Sequence, residues 1–227
     1  MASRSKRRRT AVLISGRGSN LRALVAASRD PDYPAEIVLV VSNRPEAAGL
    51  AFARESGIEA TAIEHQRFPG RPEFDAELDR TLSRHGVGLV ACAGFMRILT
   101  AGFLGAWAGR IVNIHPSLLP LYKGLGTHER ALADGVRVHG CTVHFVTPEL
   151  DSGPIIAQAA VPVLGDDSAA SLAARVLEAE HKLYPMGLAL VAGGRARLEG
   201  SRAVVSAPAD AAARLFSPGP VRWVSEA

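Results

Sequence analysis

The chain has 227 residues, of which 48% are hydrophobic and 21% charged, and its formal net charge is +4. This length suits one α/β domain, and the composition is that of a folded globular protein, which excludes an intrinsically disordered chain. No apolar run reaches the roughly 18 residues of a membrane span, and the N-terminus lacks the apolar core of a secretory signal. We therefore expect a cytoplasmic protein without membrane contacts.

The positive charge is concentrated at the N-terminus. Five Lys and Arg residues and no acid lie within residues 1–9, and removing them from the net charge of +4 leaves −1 for the rest of the chain. A short basic segment is usually a solvated end, so we predict a disordered basic tail over residues 1–9 and do not expect nucleic-acid binding. Weak attachment to RNA or another polyanion is the alternative.

Strands and helices alternate through the first half of the chain. Apolar runs predict buried strands at 10–15, 36–41, 59–63, 87–93 and 111–115. Helical patterns lie between them at 21–28, 45–57, 72–85 and 101–106. This alternation predicts an α/β fold with a doubly wound, mostly parallel sheet, in which ligands bind beyond the carboxyl ends of the strands.

The second half has a different pattern. Two strands, at 138–146 and 154–161, are joined by a loop of about eight residues, which is too short for a crossover helix and predicts antiparallel neighbours in a mixed sheet. A long helix is predicted from the capping Ser168 to residue 191, with a kink at Pro185. We predict a single domain over residues 10–200 and a C-terminal appendage, rich in Ala, Ser and Pro, over residues 201–227.

A glycine-containing motif, GRGSN, follows the first predicted strand at residues 16–20. Glycine lets the backbone approach a ligand closely, and the start of the next helix offers free N–H groups, so we place Gly18, Ser19 and Asn20 on a phosphate. Leu21 stands where the dinucleotide fingerprint has its third glycine, and the Lys of a Walker loop is absent, so we expect neither NAD nor ATP. A glycine turn that only reverses the chain is the alternative.

Two polar residues share one face of the strand at 111–115. Side chains two residues apart in a strand point the same way, so Asn113 and His115 project together, and Pro116 ends the strand. An amide that donates hydrogen bonds beside a proton-carrying imidazole can stabilise a developing oxyanion. The alternative is a strand end whose polar side chains satisfy loop backbone groups.

Asp151 lies in the turn-rich segment TPELDSGP. A carboxylate in contact with His115 would favour the charged imidazole, but turn-forming Asp is common and spacing alone does not establish the contact. We interpret His128 and His144 as structural residues. Cys92 and Cys141 lie in apolar segments without metal-ligand spacing, so we expect reduced core cysteines and no metal site.

Five motifs occur in order, with compatible spacing, over residues 10–200: GSN, AGFMRIL, NIHPSLLP, HGCTVHFVTPELDSGP and EHKLYP. Together they resemble the glycinamide ribonucleotide transformylases, the phosphoribosylglycinamide formyltransferase family of folate-dependent enzymes. The resemblance implies a Rossmann-like formyltransferase fold. It also implies direct transfer of the formyl group of the cosubstrate 10-formyltetrahydrofolate to the amine of 5-phosphoribosylglycinamide, in de novo purine (IMP) biosynthesis.

The resemblance further implies roles for individual residues. Asn113 and His115 match the residues that stabilise the oxyanion and manage the proton, and Asp151 matches the carboxylate that tunes the imidazole. The phosphoribosyl contacts match Gly18, Ser19, Asn20 and Glu180. The formyl-folate side matches Asn113, Arg71, Met96, Arg97, Ile98, Leu99 and the loop at 147–151. The partners are then small molecules, with no metal, NAD or ATP, and the protein is a monomer or a homodimer.

Three alternatives are distinguished by what surrounds this core. Methionyl-tRNA formyltransferase shares the Asn, His and Asp residues but needs a C-terminal RNA-binding domain, for which the 27 residues after Gly200 are too few. Formyltetrahydrofolate hydrolase carries an extra N-terminal regulatory domain, whereas nine residues precede the first predicted strand here. A non-enzymatic nucleotide or RNA binder explains the basic tail and the GSN loop but gives no role to Asn113, His115 and Asp151.

Overall fold

The computed structural model describes residues 7–206 and residue 217. The helices are α1 (Ser19–Ser28), α2 (Ala48–Glu55), α3 (Arg71–Arg84), α4 (Ala101–Ala106), α5 (Thr127–Ala133) and α6 (Ala169–Ala192). The strands are β1 (Arg8–Ile14), β2 (Ala35–Ser42), β3 (Glu59–Ala62), β4 (Leu89–Cys92), β5 (Ile111–His115), β6 (Val138–Phe145), β7 (Ile155–Pro162), β8 (Ala196–Glu199) and β9 (Arg202–Val205). Within this part of the chain, no helix is both long enough and apolar enough to cross a membrane.

Seven strands form one mixed sheet in the order β3-β2-β1-β4-β5-β6-β7. The five strands from β1 to β5 pair in parallel, and β6 and β7 continue the sheet in antiparallel register. Apolar side chains of α1, α2 and α6 pack in a core on one face, and those of α3 and α4 pack in a core on the other. The predicted α/β fold, doubly wound around a mostly parallel mixed sheet, is therefore confirmed.

The first strand begins earlier than predicted. It starts at Arg8, so Arg8 and Arg9 pair with β2 instead of belonging to a disordered tail. Their neighbours in the sheet supply backbone partners that composition alone does not reveal. Residues 1–6 of the predicted tail lie outside the described residues.

Pro45 also differs from the prediction, because it lies in the turn before α2 and not in the first turn of that helix.

The chain after α6 folds back on the domain. Strands β8 and β9 form an antiparallel hairpin, and Leu198 and Ala203 pack against the core. Gly200, where we predicted the end of the domain, lies in the turn of this hairpin. The rest of the predicted appendage, 207–216 and 218–227, lies outside the described residues.

The long helix α6 packs against α1, β6 and β7 on one face of the sheet. Ser168 caps its start in a capping box with Ser171, as predicted for Ser168. The helix continues through Pro185, and the hydroxyl of Tyr33 donates to the Pro185 carbonyl oxygen at 2.7 Å. Five residues before Pro185, Glu180 is buried. This helix therefore brings an acid to Asn20 at the start of α1, another predicted site residue.

Candidate active site

A cavity of about 570 Å³ opens at the carboxyl edge of the sheet. Its floor includes the ends of β4 and β5, and its walls include the segments 94–99 and 146–151. All three residues predicted to be catalytic line it: Asn113, His115 and Asp151. Asn20 and Glu180, predicted on the phosphoribosyl side, line the same cavity. Residues far apart in sequence thus meet where ligands bind in doubly wound sheets.

His115 and Asp151 form a close buried pair. Nδ1 of His115 lies 3.3 Å from Oδ2 of Asp151, and both side chains are less than a tenth exposed. The same carboxylate oxygen accepts the backbone N–H of Gly124 at 2.9 Å. On the other side of the ring, Nε2 of His115 lies 2.9 Å from the carbonyl oxygen of Tyr122. The ring therefore lies between two acceptors.

This arrangement constrains the proton on His115. A carbonyl oxygen only accepts hydrogen bonds, so Nε2 of His115 carries a hydrogen directed at Tyr122. In a neutral ring with that hydrogen, Nδ1 has a lone pair that faces the carboxylate of Asp151, which is unfavourable because both groups are acceptors. The contact is favourable when a second proton lies between Nδ1 and Asp151, held as an imidazolium or on the carboxyl group. The pair is thus built to hold a proton.

The loop at 116–126 supplies both of these backbone contacts. A buried side chain of β6, Thr142, holds its first part by donating to the Ser117 carbonyl oxygen at 2.7 Å and accepting the Leu119 N–H at 3.0 Å. The Gln158 amide donates to the Leu119 carbonyl oxygen at 2.9 Å. Strands β6 and β7 thereby fix the loop whose carbonyl and N–H groups orient the His115–Asp151 pair.

Asn113 is oriented by His144. The two residues are paired across β5 and β6, and Nδ2 of Asn113 lies 3.3 Å from Nε2 of His144. Nδ1 of His144 lies 2.9 Å from the Phe145 carbonyl oxygen and so carries the ring hydrogen. Burial lowers the pKa of His144, which keeps the ring neutral, with a lone pair on Nε2. Asn113 therefore donates one N–H to His144 and keeps the other for a ligand.

The turn that carries Asp151 has little freedom. Asp151 adopts a left-handed backbone conformation with φ of 48°. Two residues later, a Cβ added to Gly153 would lie 1.7 Å from the carbonyl oxygen of Phe145, so only glycine fits there. This close approach of loop and strand holds Asp151 over the end of β6, with Oδ1 at 3.8 Å from Nε2 of His144.

Asn20 and Glu180 form the other polar pair of the cavity. The Asn20 amide nitrogen donates to Oε2 of Glu180 at 2.7 Å, and both residues are buried. Burial raises the pKa of the Glu180 carboxyl group, and this hydrogen bond opposes the shift. Oδ1 of Asn20 is buried without a partner among the described residues. It is therefore free to accept a hydrogen bond, for example from a ligand hydroxyl group.

The predicted phosphate loop precedes α1. Gly18 is in the left-handed conformation with φ of 74°, and no side chain caps the helix. The first N–H groups of α1 therefore remain available to an anion, at the end of the helix where its dipole is positive. Gly18 and Ser19 lie beside the cavity lined by Asn20 and do not line it themselves.

Comparisons with known proteins agree with this geometry. The family model described as Formyl transferase matches residues 8–188. The chain belongs to the formyl transferase family. It is similar to the phosphoribosylglycinamide formyltransferase of Escherichia coli (strain K12), with 45% identity over 187 residues, covering 82% of this chain and 88% of that protein.

Two further relatives extend the comparison of this formyl transferase. It is 49% identical over 193 residues to the human trifunctional purine biosynthetic protein adenosine-3, covering 85% of this chain but only 19% of that protein. Its fold is similar to the crystal structure of glycinamide ribonucleotide transformylase 1 from Symbiobacterium toebii, with a TM-score of 0.85 and 46% identity, covering 88% of this chain and 94% of that one.

Two loop segments form walls of the formyl transferase cavity. Residues Met96, Arg97, Ile98 and Leu99, predicted on the folate side, all line the cavity, as does the predicted loop at 147–151. Arg71 does not line it, because it lies exposed at the first position of α3. Among residues 7–206 and 217, no group of three or more His, Cys, Asp or Glu side chains is arranged to hold a metal ion.

Two histidines of this formyl transferase have more contact with the site than we predicted. His144, interpreted as structural, contacts both Asn113 and Asp151. The alternation of side chains along β6 could have predicted this contact. Thr142 and His144 point to the same face of the sheet and lie opposite His115 and Asn113 in the register. His128 lines the cavity and packs edge-on against His139, and burial lowers the pKa of both rings.

Proposed function

We propose that this protein transfers the formyl group of 10-formyltetrahydrofolate to the amine of 5-phosphoribosylglycinamide, a step of de novo purine biosynthesis. The observation that carries the proposal is the convergence of Asn113, His115 and Asp151 in one cavity that also reaches Asn20 and Glu180. Membership of the formyl transferase family and the similarity to the E. coli enzyme support it.

The first step forms a bond between the substrate amine and the formyl carbon. The formyl oxygen then becomes an oxyanion in a tetrahedral intermediate, and a preorganised donor stabilises it more than it stabilises the ground state. We assign this role to the N–H of Asn113 that is not donated to His144. Because the amide is already oriented by that bond, little reorganisation is needed when the charge develops.

The second step breaks the bond between the formyl carbon and N10 of the folate. The attacking nitrogen loses one proton and the leaving nitrogen gains one, so no proton is consumed overall. We assign this transfer to the His115–Asp151 pair. In the structure the Nε2 hydrogen of His115 is donated to the Tyr122 carbonyl oxygen at 2.9 Å. The reacting atoms must therefore replace that carbonyl when His115 exchanges a proton with them.

The two substrates are expected at opposite ends of the cavity. We place the phosphate on the backbone of Gly18, Ser19 and Asn20 at the start of α1, and the ribose near Glu180. We place the pterin against the wall of Met96, Arg97, Ile98 and Leu99. Arg71 lies outside the cavity, where it can meet the glutamate carboxylates of a folate that extends into solvent. A cytoplasmic location and a monomeric or homodimeric state remain predictions.

Release of tetrahydrofolate with different acceptors tests the proposal. The protein is mixed with 10-formyltetrahydrofolate and, in separate reactions, with 5-phosphoribosylglycinamide, methionyl initiator tRNA or water alone. We expect rapid release, with formation of the N-formyl product, only with the phosphoribosyl amine. Equal release in water would identify a hydrolase, and release with tRNA alone would identify a tRNA formyltransferase. Binding of the amine without release in any reaction would favour a nucleotide binder.

A further inference from the structure

The wall formed by residues 95–100 has no helix or strand to hold it in place. Met96 and Ile98 are 64% and 59% exposed, so apolar burial in the wall is confined to Leu99, which is 7% exposed, and to the partly buried Phe95. The wall nevertheless lines the cavity next to Asn113. Since loops with little apolar burial are usually mobile, hydrogen bonds at the two ends of the wall contribute to holding this conformation.

One buried hydroxyl holds the start of the wall. Ser15, which follows β1, accepts the backbone N–H of Met96 at 2.8 Å. Its own hydrogen is donated to Oδ1 of Asn43 at the end of β2. Ser15 and Asn43 are 6% and 3% exposed. The carboxyl ends of two sheet strands are thereby connected to Met96, near the start of the wall.

One buried carboxylate holds the end of the wall. Asp75 of α3 accepts the backbone N–H of Thr100 at 2.7 Å and is 4% exposed. Thr100 in turn caps α4, since its hydroxyl accepts the N–H of Phe103 at 3.3 Å. Oδ1 of Asp75 is buried without a partner among the described residues. The hydrogen bond from Thr100 to Oδ2 is therefore the contact that compensates for burying this carboxylate.

An aromatic side chain of α3 supports the wall between these two hydrogen bonds and at its first residue. Phe74, next to Asp75 on α3, is 1% exposed. It stacks on Phe95 with ring centroids 6.5 Å apart, and the guanidinium of Arg97 lies 5.4 Å from the centre of its ring. Helix α3 therefore contacts the wall twice, through Phe74 and through Asp75.

We propose that Ser15 and Asp75 are positioning residues for the formyl folate: they hold the wall of residues 95–100 from its two ends in the conformation that receives the pterin. This inference rests on the proposed function, because it assumes that the folate occupies this wall. Neither side chain lines the cavity, so each acts through the backbone of the wall and not by touching the ligand.

Steady-state kinetics separate this role from a general structural one. Ser15→Ala and Asp75→Ala each remove one hydrogen bond to the wall, so we expect the KM for 10-formyltetrahydrofolate to rise about three- to tenfold. The KM for 5-phosphoribosylglycinamide should change less than about twofold, because neither Met96 nor Thr100 is assigned to that substrate. Asp75→Asn keeps an oxygen that can accept the Thr100 N–H and should retain a KM close to that of the unaltered protein.

The controls make each outcome decisive. Glu73→Ala removes an exposed carboxylate from the same helix and should leave both KM values unchanged. The exchange rate of the Met96 and Thr100 amide hydrogens, measured by NMR in the unaltered protein and in Ser15→Ala and Asp75→Ala, reports the anchoring without any catalysis. Fast exchange of both amides in the unaltered protein would overturn the inference. So would equal increases in the two KM values, or an Asp75→Asn variant as impaired as Asp75→Ala.

A failure of the proposed function would look different. If the unaltered protein does not transfer the formyl group, the proposed function is wrong, whatever the variants do. If it transfers the group and the variants keep an unchanged KM for the folate, only the positioning role is wrong.

Discussion

The two edges of the central sheet use charge in opposite ways. At the carboxyl edge, His115, Asp151 and Glu180 are nearly buried and face a cavity. At the amino edge, arginines bind the ends of helices. Arg7 donates to the carbonyl oxygen of Ser28, the last residue of α1, and Arg9 donates twice to that of His85, just after α3, at 2.9 and 2.8 Å.

The parallel βα topology explains the difference. Each helix that follows a strand starts near the carboxyl edge and ends near the amino edge, so the positive helix ends face the cavity and the negative ends face the arginines. Arg110 makes a similar contact, because it donates to the carbonyl oxygen of Ala106, the last residue of α4. The basic residues 7 and 9, which suggested a tail, therefore stabilise helix ends. Removing side chains at the carboxyl edge should therefore lower activity, whereas removing them at the amino edge should lower stability.

The largest effect is expected for Asp151→Asn, which removes the charge beside His115. An amide at this position cannot share a proton with Nδ1 of His115, so we expect kcat to fall by about 1000- to 10,000-fold. The neutral side chain has nearly the same shape, so the melting temperature should change little. The measurement is kcat against pH from 5.5 to 9, with circular dichroism to verify folding. A variant with unaltered kcat across this range would exclude a catalytic role for Asp151.

Asn113→Ala should come next. Removing one oxyanion donor typically costs about 2.7–4 kcal/mol in the transition state, so kcat should fall by roughly 100- to 1000-fold. The KM for the phosphoribosyl substrate should change far less, because Asn113 is assigned to the intermediate and not to the ground state. Initial rates at saturating folate give both values. A normal kcat with a raised KM would show that Asn113 serves in substrate binding alone.

The buried histidines should make stability depend on pH. Burial lowers the pKa of His139 to about 4 from the usual 6.5, and it lowers those of His128 and His144. The unfolded chain binds protons on these rings below about pH 6.5 and the folded protein does not, so the free energy of unfolding falls as the pH decreases toward about 4. For His139 alone the loss reaches roughly 3 kcal/mol.

Urea unfolding at several pH values between 4 and 7 measures this dependence. His139→Phe removes one titrating ring at a position where the aromatic contacts with Tyr122 and His128 can be kept. Its free energy of unfolding should vary less with pH than that of the unaltered protein. A parallel decrease in the two proteins would mean that His139 is not the group that titrates.

A smaller effect is expected for His144→Phe. The variant removes the acceptor that orients the Asn113 amide, so we expect kcat to fall by about tenfold, less than in Asn113→Ala. His144→Gln is the matched control, because its side-chain oxygen can accept the same N–H and should restore part of kcat. Combining His144→Phe with Asn113→Ala should add little to the loss in Asn113→Ala. Fully additive losses of kcat would show that His144 does not act through Asn113.

The smallest effect is expected at the amino edge, and it should spare activity. Arg9→Ala removes two hydrogen bonds at the end of α3 and should cost about 1 kcal/mol of stability, or roughly 2–4 °C in Tm. Arg8→Ala is the matched control, because the Arg8 side chain is exposed and makes no hydrogen bond or ion pair with other described residues. Both variants should keep kcat. If Arg8→Ala lowered Tm as much as Arg9→Ala, lost charge and not helix capping would be responsible.

Much of the architecture was determined by local patterns in the sequence. Buried parallel strands have continuous apolar runs, and each of the seven strands of the main sheet was predicted to within about two residues at either end. The short loop between β6 and β7 implied their antiparallel pairing, which the structure confirms. Motif order was sufficient to predict the formyl transferase family, now confirmed by the family match over residues 8–188.

Contacts between distant segments depended on the tertiary structure. The distance of 3.3 Å between His115 and Asp151, and the pairing of Asn113 with His144, depend on strand register and on a loop held by Thr142 and Gln158. The roles of Arg7 and Arg9 depend on where helices end, and the hairpin of β8 and β9 depends on packing against the domain core. Local sequence encodes propensity and periodicity, whereas burial and pairing arise only when the segments come together.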